Sequence, residues 1–125
     1  MHAYPPIDEY GVIGDLESAA LVHREGSIDW LCLPRFDSPS IFGRLLDWQH
    51  GGHLRVAPAG TSVPSRQYRT DSNVLETTWI GERAQALVAD FMPVRAEARR
   101  HRVAALGSAG GQLLRGIGVA QGEAQ

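Results

Sequence analysis

Between residues 19 and 93 the apolar residues come in short runs, and most of those runs are closed by Gly, Pro or a cluster of turn formers. Runs of that length, with alternation in several of them, specify strands rather than helices. Residues 19–23 form a compact apolar run, Arg24-Glu25-Gly26-Ser27 supplies a turn, and residues 28–33 resume as a second strand, which predicts a β-hairpin. Pro34 stops that strand because it has no donor for the ladder. Leu54 and Val56 then alternate with His53 and Arg55 as far as Pro58. Residues 66–70 and 73–80 read as two strands around Asp71-Ser72, the second with Leu75, Thr77 and Trp79 on one face. After a Gly81-Glu82-Arg83 turn, residues 85–92 make a further strand closed by Pro93. One segment breaks the cadence. Ser38-Pro39 is a helix start, and Ile41, Phe42, Leu45 and Leu46 share a face at helical spacing. This predicts one short amphipathic helix over residues 39–48, ended by Gly51-Gly52.

The remainder of the chain is a different kind of sequence. Every Trp, Tyr and Phe falls at or before Phe91. Residues 95–125 hold seven Ala and six Gly, and five Arg against only Glu97 and Glu123. So little bulky apolar surface does not readily offset the entropy of ordering the backbone. A flexible or weakly helical tail is expected, with residues 95–106 helical on propensity alone and the boundary near Val94. The expected fold is therefore mainly β: an incomplete antiparallel β-sandwich over residues 1–94 with one short helix, followed by this tail.

Composition narrows the function classes. A net charge of -2 gives no global attraction to nucleic acid or anionic membrane. No apolar run approaches the roughly 20 residues that span a bilayer, and the N-terminus lacks the basic start and apolar run of a signal peptide. The single cysteine, Cys32, has no internal partner. A cytoplasmic protein is expected. All 12 basic residues are Arg, a bias that points to a GC-rich gene.

Several long strings carry a resemblance. They are YPPIDEYGVIGD at residues 4–15, AALVHREGSIDWLCLPRFDSPSIF at 19–42, NVLETTW at 73–79 and DFMPV at 90–94. In this order and spacing the chain resembles the opening of bacterial family 15 glycoside hydrolases, the trehalase-like and glucoamylase-like enzymes. The resemblance implies an N-terminal β-sandwich that packs on an (α/α)6 barrel, where two glutamates hydrolyse α-glucosidic bonds with inversion. Inversion needs two carboxyls about 6.5–9.5 Å apart. The resemblance places that pair in the barrel, so no residue here is nominated as catalytic, Glu9, Glu17, Glu25, Glu76 and Glu82 included. No cofactor is expected, and the barrel is the expected partner. The motif order stops at Val94, which predicts a truncation or a frameshift there and an inactive chain.

Candidate contacts lie on the loop after the second hairpin strand. Arg35 offers a fork of donors and Asp37 a pair of acceptors, both suited to sugar hydroxyls or to an interdomain contact. The competing reading pairs Arg35 with a nearby carboxylate, while Asp37 or Ser38 caps the helix. Trp30, on the strand leading into the loop, is the third substrate-binding or barrel-facing candidate, although its apolar strand favours packing. Trp48 also reads as packing, and Trp79 as more open if its strand lies at an edge. His50 and His53 lack the third ligand a zinc site needs, so no metal is expected. Asp29 and Asp90 form a carboxylate pair only if the fold unites them; otherwise each accepts from backbone or Arg. Cys32 reads as core, His23 as solvent-facing, and GVIGD as too sparse in glycine for a phosphate loop. The alternative function is a free-standing α-glucan-binding module acting through exposed Trp and the Arg35–Asp37 loop. A third is an interaction domain that completes a separately encoded barrel.

Overall fold

The computed structural model describes residues 4–60, 63–82, 84–94 and 113–121. Among the described residues, a 3-10 turn at Ile7–Glu9 is followed by nine strands: β1 (Tyr10–Gly14), β2 (Ala19–His23), β3 (Ser27–Cys32), β4 (Ser40–Phe42), β5 (Leu54–Arg55), β6 (Val63–Tyr68), β7 (Leu75–Ile80), β8 (Ala84–Phe91) and β9 (Leu114–Gln121). They form two antiparallel sheets. The first runs β1-β2-β3-β4 with β5 also paired to β3, and the second runs β6-β7-β8-β9.

The core lies between the sheets. Ile13, Ala20, Val22, Ile28 and Leu31 come from the first sheet, and Leu75 and Met92 from the second sheet and its exit. Burial alternates along β7, where Leu75, Thr77 and Trp79 are buried and Glu76 and Thr78 are half-buried, whereas β3 is buried at every position but Trp30. A fully buried aliphatic side chain contributes about 1.5–3 kcal/mol. Gly26 sets how closely the sheets approach. It sits at φ +91°, and a Cβ there would lie 2.2 Å from the Val56 carbonyl oxygen and 3.1 Å from the Trp79 ring. Only glycine fits that hairpin corner.

At Val12 the edge of β1 is closed by a side chain from the other sheet, and a second side chain of that sheet reaches β2. The Tyr68 hydroxyl donates to the Val12 carbonyl at 2.8 Å and accepts from the Val12 amide at 2.9 Å. Arg66 donates to the Val22 carbonyl at 2.9 Å. Both backbone groups of Val12 that face away from β2 are thereby satisfied without a further strand.

The two-sheet, mainly β architecture agrees with the sequence reading, and two of its details do not. The helix expected over 39–48 is absent: Ser40–Phe42 form β4, paired to β3 through Leu31↔Phe42 and Cys32↔Ser40, and turns follow. Ile41 and Leu46 are exposed, so the helical spacing buries only part of its face. Pairing to β3 satisfies the backbone instead, and the Gly43 amide closes the segment onto the Gly51 carbonyl at 2.8 Å. The second difference is in the tail. Leu114–Gln121 form β9 and pair with β8 from Ala84↔Gln121 to Phe91↔Leu114, in place of a flexible or weakly helical segment. The helix expected over 95–106 lies outside the described residues.

Candidate functional site

The loop that carries two of the three candidates leaves β3 at Cys32 and returns at β4. Its turn is fixed by Ser38: the Ser38 amide donates to the Arg35 carbonyl at 3.0 Å, and the Arg35 amide donates to the Ser38 hydroxyl at 3.1 Å. The Phe36 amide donates to the Glu17 carbonyl at 2.9 Å, which ties the loop to the β1–β2 turn. Arg35 and Asp37 pair with each other, Nε to Oδ1 at 3.3 Å, with side chains 70% and 75% exposed. The nearby carboxylate of the structural reading is thus Asp37 itself, and Ser38 closes a turn rather than a helix. A pair this exposed contributes about 0–1 kcal/mol. Arg35→Ala and Asp37→Ala are therefore expected to leave the urea midpoint of the chain nearly unchanged. A clear loss of stability in either would show that the loop is structural.

Trp30 does not join them. It lies on β3 opposite Leu21, half-buried, and among the described residues no hydrogen bond or ring contact links it to Arg35 or Asp37. Trp79 is 4% exposed, on a strand flanked by β6 and β8, so the edge position that would open it is not realised. Trp48 packs beneath the Arg44 guanidinium, whose carbon is 3.8 Å from the ring centroid, with Tyr4 edge-on at 5.4 Å.

Arg44 leads to the most elaborate polar cluster. Asp29 is 1% exposed, accepts from the Tyr10 hydroxyl at 2.5 Å and from the Ser27 hydroxyl, and lies 3.6 Å from Arg44 Nη1. Burial, then the Asp29 hydrogen bond and charge, push the Tyr10 phenol well above its ordinary range. Tyr10 is thus held as a neutral donor, and Asp29 is occupied on both oxygens. The cluster orients and holds; it does not offer a free base. Beside it, His23 Nε2 meets Glu9 Oε2 at 2.7 Å, and Arg24 lies 3.3 Å from the other Glu9 oxygen. The His23 contact, with help from Arg24, holds the Glu9 carboxyl below its usual value. His23 is 13% exposed, and the solvent-facing position expected for it is not what the fold gives.

Asp90 stands apart from Asp29. It accepts from Arg115 Nε at 2.5 Å and Nη2 at 3.2 Å, and the same guanidinium donates to the carbonyls of Gly26 at 2.7 Å and Leu54 at 3.1 Å. Burial pushes the Asp90 carboxyl up, and Arg115 pulls it part of the way back. The two aspartates have separate arginine partners and do not form a catalytic couple. His50 is bonded to Asp47 at 3.2 Å, and among the described residues no three His, Cys, Asp or Glu side chains are grouped to hold a metal ion. Beneath residues 56–60 lies a hollow of about 780 Å³, lined by Val56, Pro58, Ala86, Val88 and Ile117 beside the Trp79 ring. Neither Arg35 nor Asp37 reaches it.

Sequence reasoning missed Arg44, Arg115 and the partners of Asp29. Tyr10 lies 19 residues from Asp29, Arg44 17 residues from Ser27 and Arg115 25 residues from Asp90, separations at which local spacing holds no signal. It also missed Asp15, a buried side chain whose Oδ1 accepts from the Glu17 amide at 2.9 Å and the Ser18 amide at 2.8 Å.

Fold and site together define a two-sheet β unit with exposed polar loops and buried, fully engaged acids. The chain belongs to the trehalase-like N-terminal family, which matches residues 2–112 and so runs past Val94. It is 46% identical over 90 residues to a trehalase of Mycolicibacterium smegmatis and 44% identical over 90 residues to one of Mycobacterium tuberculosis. Each alignment covers 71% of this chain and 13% of the relative. A trehalase of Thermoplasma volcanium is 36% identical over 96 residues, covering 74% of this chain and 15% of that protein. The aligned part of the chain thus spans about an eighth of the length of the curated relatives it matches. No solved structure gives a significant match. Among the described residues no helix is long and apolar enough to cross a membrane.

Proposed function

We propose that this chain is the N-terminal, non-catalytic β-sandwich of a trehalose-hydrolysing enzyme of the family 15 glycoside hydrolase type, and that an (α/α)6 barrel carrying two inverting carboxylates is its partner. The observation that carries this reading is the confinement of the matches to 13–15% of each trehalase, on a unit whose buried acids are already engaged. Asp29 and Asp90 hold the sandwich together, and the exposed Arg35–Asp37 loop is available to face the barrel. The single cysteine, buried and unpaired, is in keeping with a reducing, cytoplasmic setting.

Incubated alone with trehalose, the 125-residue chain is expected to release no glucose. Co-expressed with the Mycolicibacterium smegmatis trehalase from which the matching 90 residues are deleted, it is expected to restore hydrolysis above that of the deleted enzyme alone. Trehalose hydrolysis by the chain by itself would sink the proposal. Trehalose or maltooligosaccharide binding by the lone chain, read as a change in tryptophan fluorescence, would favour the free-standing module instead.

A further inference from the structure

Leu16, in the β1–β2 turn, combines two features that a folded chain ordinarily avoids. It sits at φ 74°, in the left-handed region that penalises a side chain with a Cβ, and it is 83% exposed. Within the sandwich, an exposed leucine gains little burial to offset that backbone strain. Glycine or asparagine would satisfy the same turn with less strain.

The turn is also held firmly. Asp15, 3% exposed, ties down the amides of Glu17 and Ser18, and the Ser18 hydroxyl donates to the Cys32 carbonyl. The Glu17 carbonyl then receives the Phe36 amide at 2.9 Å, which places Phe36, itself 62% exposed, on the neighbouring loop at the same end of the sheet. Two large apolar side chains are thus presented to solvent from loops with fixed backbones. Beside Phe36 in sequence stand Arg35 and Asp37, which neutralise each other. Apolar side chains with polar neighbours are the anatomy of a docking hot spot, and the fixed backbone lowers the cost of ordering it on binding.

We infer that Leu16 and Phe36 are a preorganised apolar anchor that inserts into an uncharged, apolar socket on the catalytic remainder of the trehalase polypeptide. This rests on the function proposed above, because the relatives' remaining length supplies the occupant: the chain matches only 13% of the Mycolicibacterium smegmatis trehalase. With Arg35 paired to Asp37 and Glu17 following Leu16, among the described residues no unpaired cation stands beside the two side chains, which argues against a polyanionic partner such as nucleic acid or an anionic lipid surface.

The test uses the full 125-residue chain co-expressed with the Mycolicibacterium smegmatis trehalase lacking its matching 90 residues. Leu16→Asn is expected to keep the melting temperature of the chain or raise it by roughly 3 °C, because asparagine tolerates the left-handed region. The same variant and Phe36→Ser are each expected to reduce co-purification with the truncated trehalase about tenfold or more. Ile7→Ser, which removes an apolar side chain that is 86% exposed elsewhere, is expected to leave it unchanged. A lower melting temperature for Leu16→Asn would make Leu16 a structural residue and overturn the inference. Undiminished association of both anchor variants would overturn it while leaving the proposed function intact. Failure of the unsubstituted chain to associate would remove the proposed function, and the inference with it.

Discussion

Arg115→Met is expected to destabilise the chain by about 3–5 kcal/mol, because it strands a carboxylate in the sandwich interior. Asp90 is fully buried and takes two hydrogen bonds from the guanidinium, which also ties the Gly26 and Leu54 carbonyls of the first sheet to β9 of the second. Domains of this size are stable by only about 5–15 kcal/mol, so about a fifth or more of the total is at stake. Urea denaturation reads the effect directly. The deficit has a defined pH sign. Burial already raises the Asp90 carboxyl, and without Arg115 only burial acts. A carboxyl whose folded value lies above its unfolded one adds stability at low pH and loses it as pH rises through the folded value. The variant is therefore expected to be less impaired near about pH 5 than near about pH 8. Replacing Asp90 by Leu in the same variant removes the stranded charge and is expected to recover part of the loss. Recovery is partial because Gly26 and Leu54 still lack their donor. A single-variant effect below about 1 kcal/mol would show that β9 is not held by this pair.

Trp79→Ala is expected to cost about 3–5 kcal/mol, the range for an aromatic truncated in a packed interior. The ring is 4% exposed and lies against the Gly26 corner. Trp48→Ala removes a ring stacked by Arg44 outside that core, and such a contact is worth about 0.5–2 kcal/mol. Urea midpoints of the two variants should thus differ clearly, with Trp79→Ala lower. Equal midpoints would place Trp79 outside the core and reopen the reading of it as an exposed platform.

Those two residues show where sequence reading succeeds and where it stops. The β2–β3 hairpin is legible because Gly26 and Pro34 act locally, on their own backbone torsions and donors. The alternation of β7 is legible for the same reason, although nothing local says that β7 is an interior strand; its neighbours β6 and β8 decide that. Ile41, Phe42, Leu45 and Leu46 match a helical period, yet the pairing of Phe42 with Leu31 prevails, since a short helix gains little without a face to bury. β9 is obscured by Gly116 and Gly118, which lower strand propensity, while Arg115 and Ile117 on the alternate positions carry the pattern. On the candidate site, the Arg35–Asp37 pair is visible because its members are two residues apart. The anchor at Leu16 is not, because neither a positive φ nor the exposure of a leucine can be read from its neighbours in sequence.

Tyr68 has a consequence for how molecules of this kind behave when crowded. A strand arriving from another molecule would need the outward amide and carbonyl of Val12, and one hydroxyl already holds both. Growth of a sheet across molecules, the first step toward a fibril, is therefore obstructed at β1 by a single oxygen atom. That protection is carried by a side chain of the opposite sheet, so it is present only once both sheets have come together.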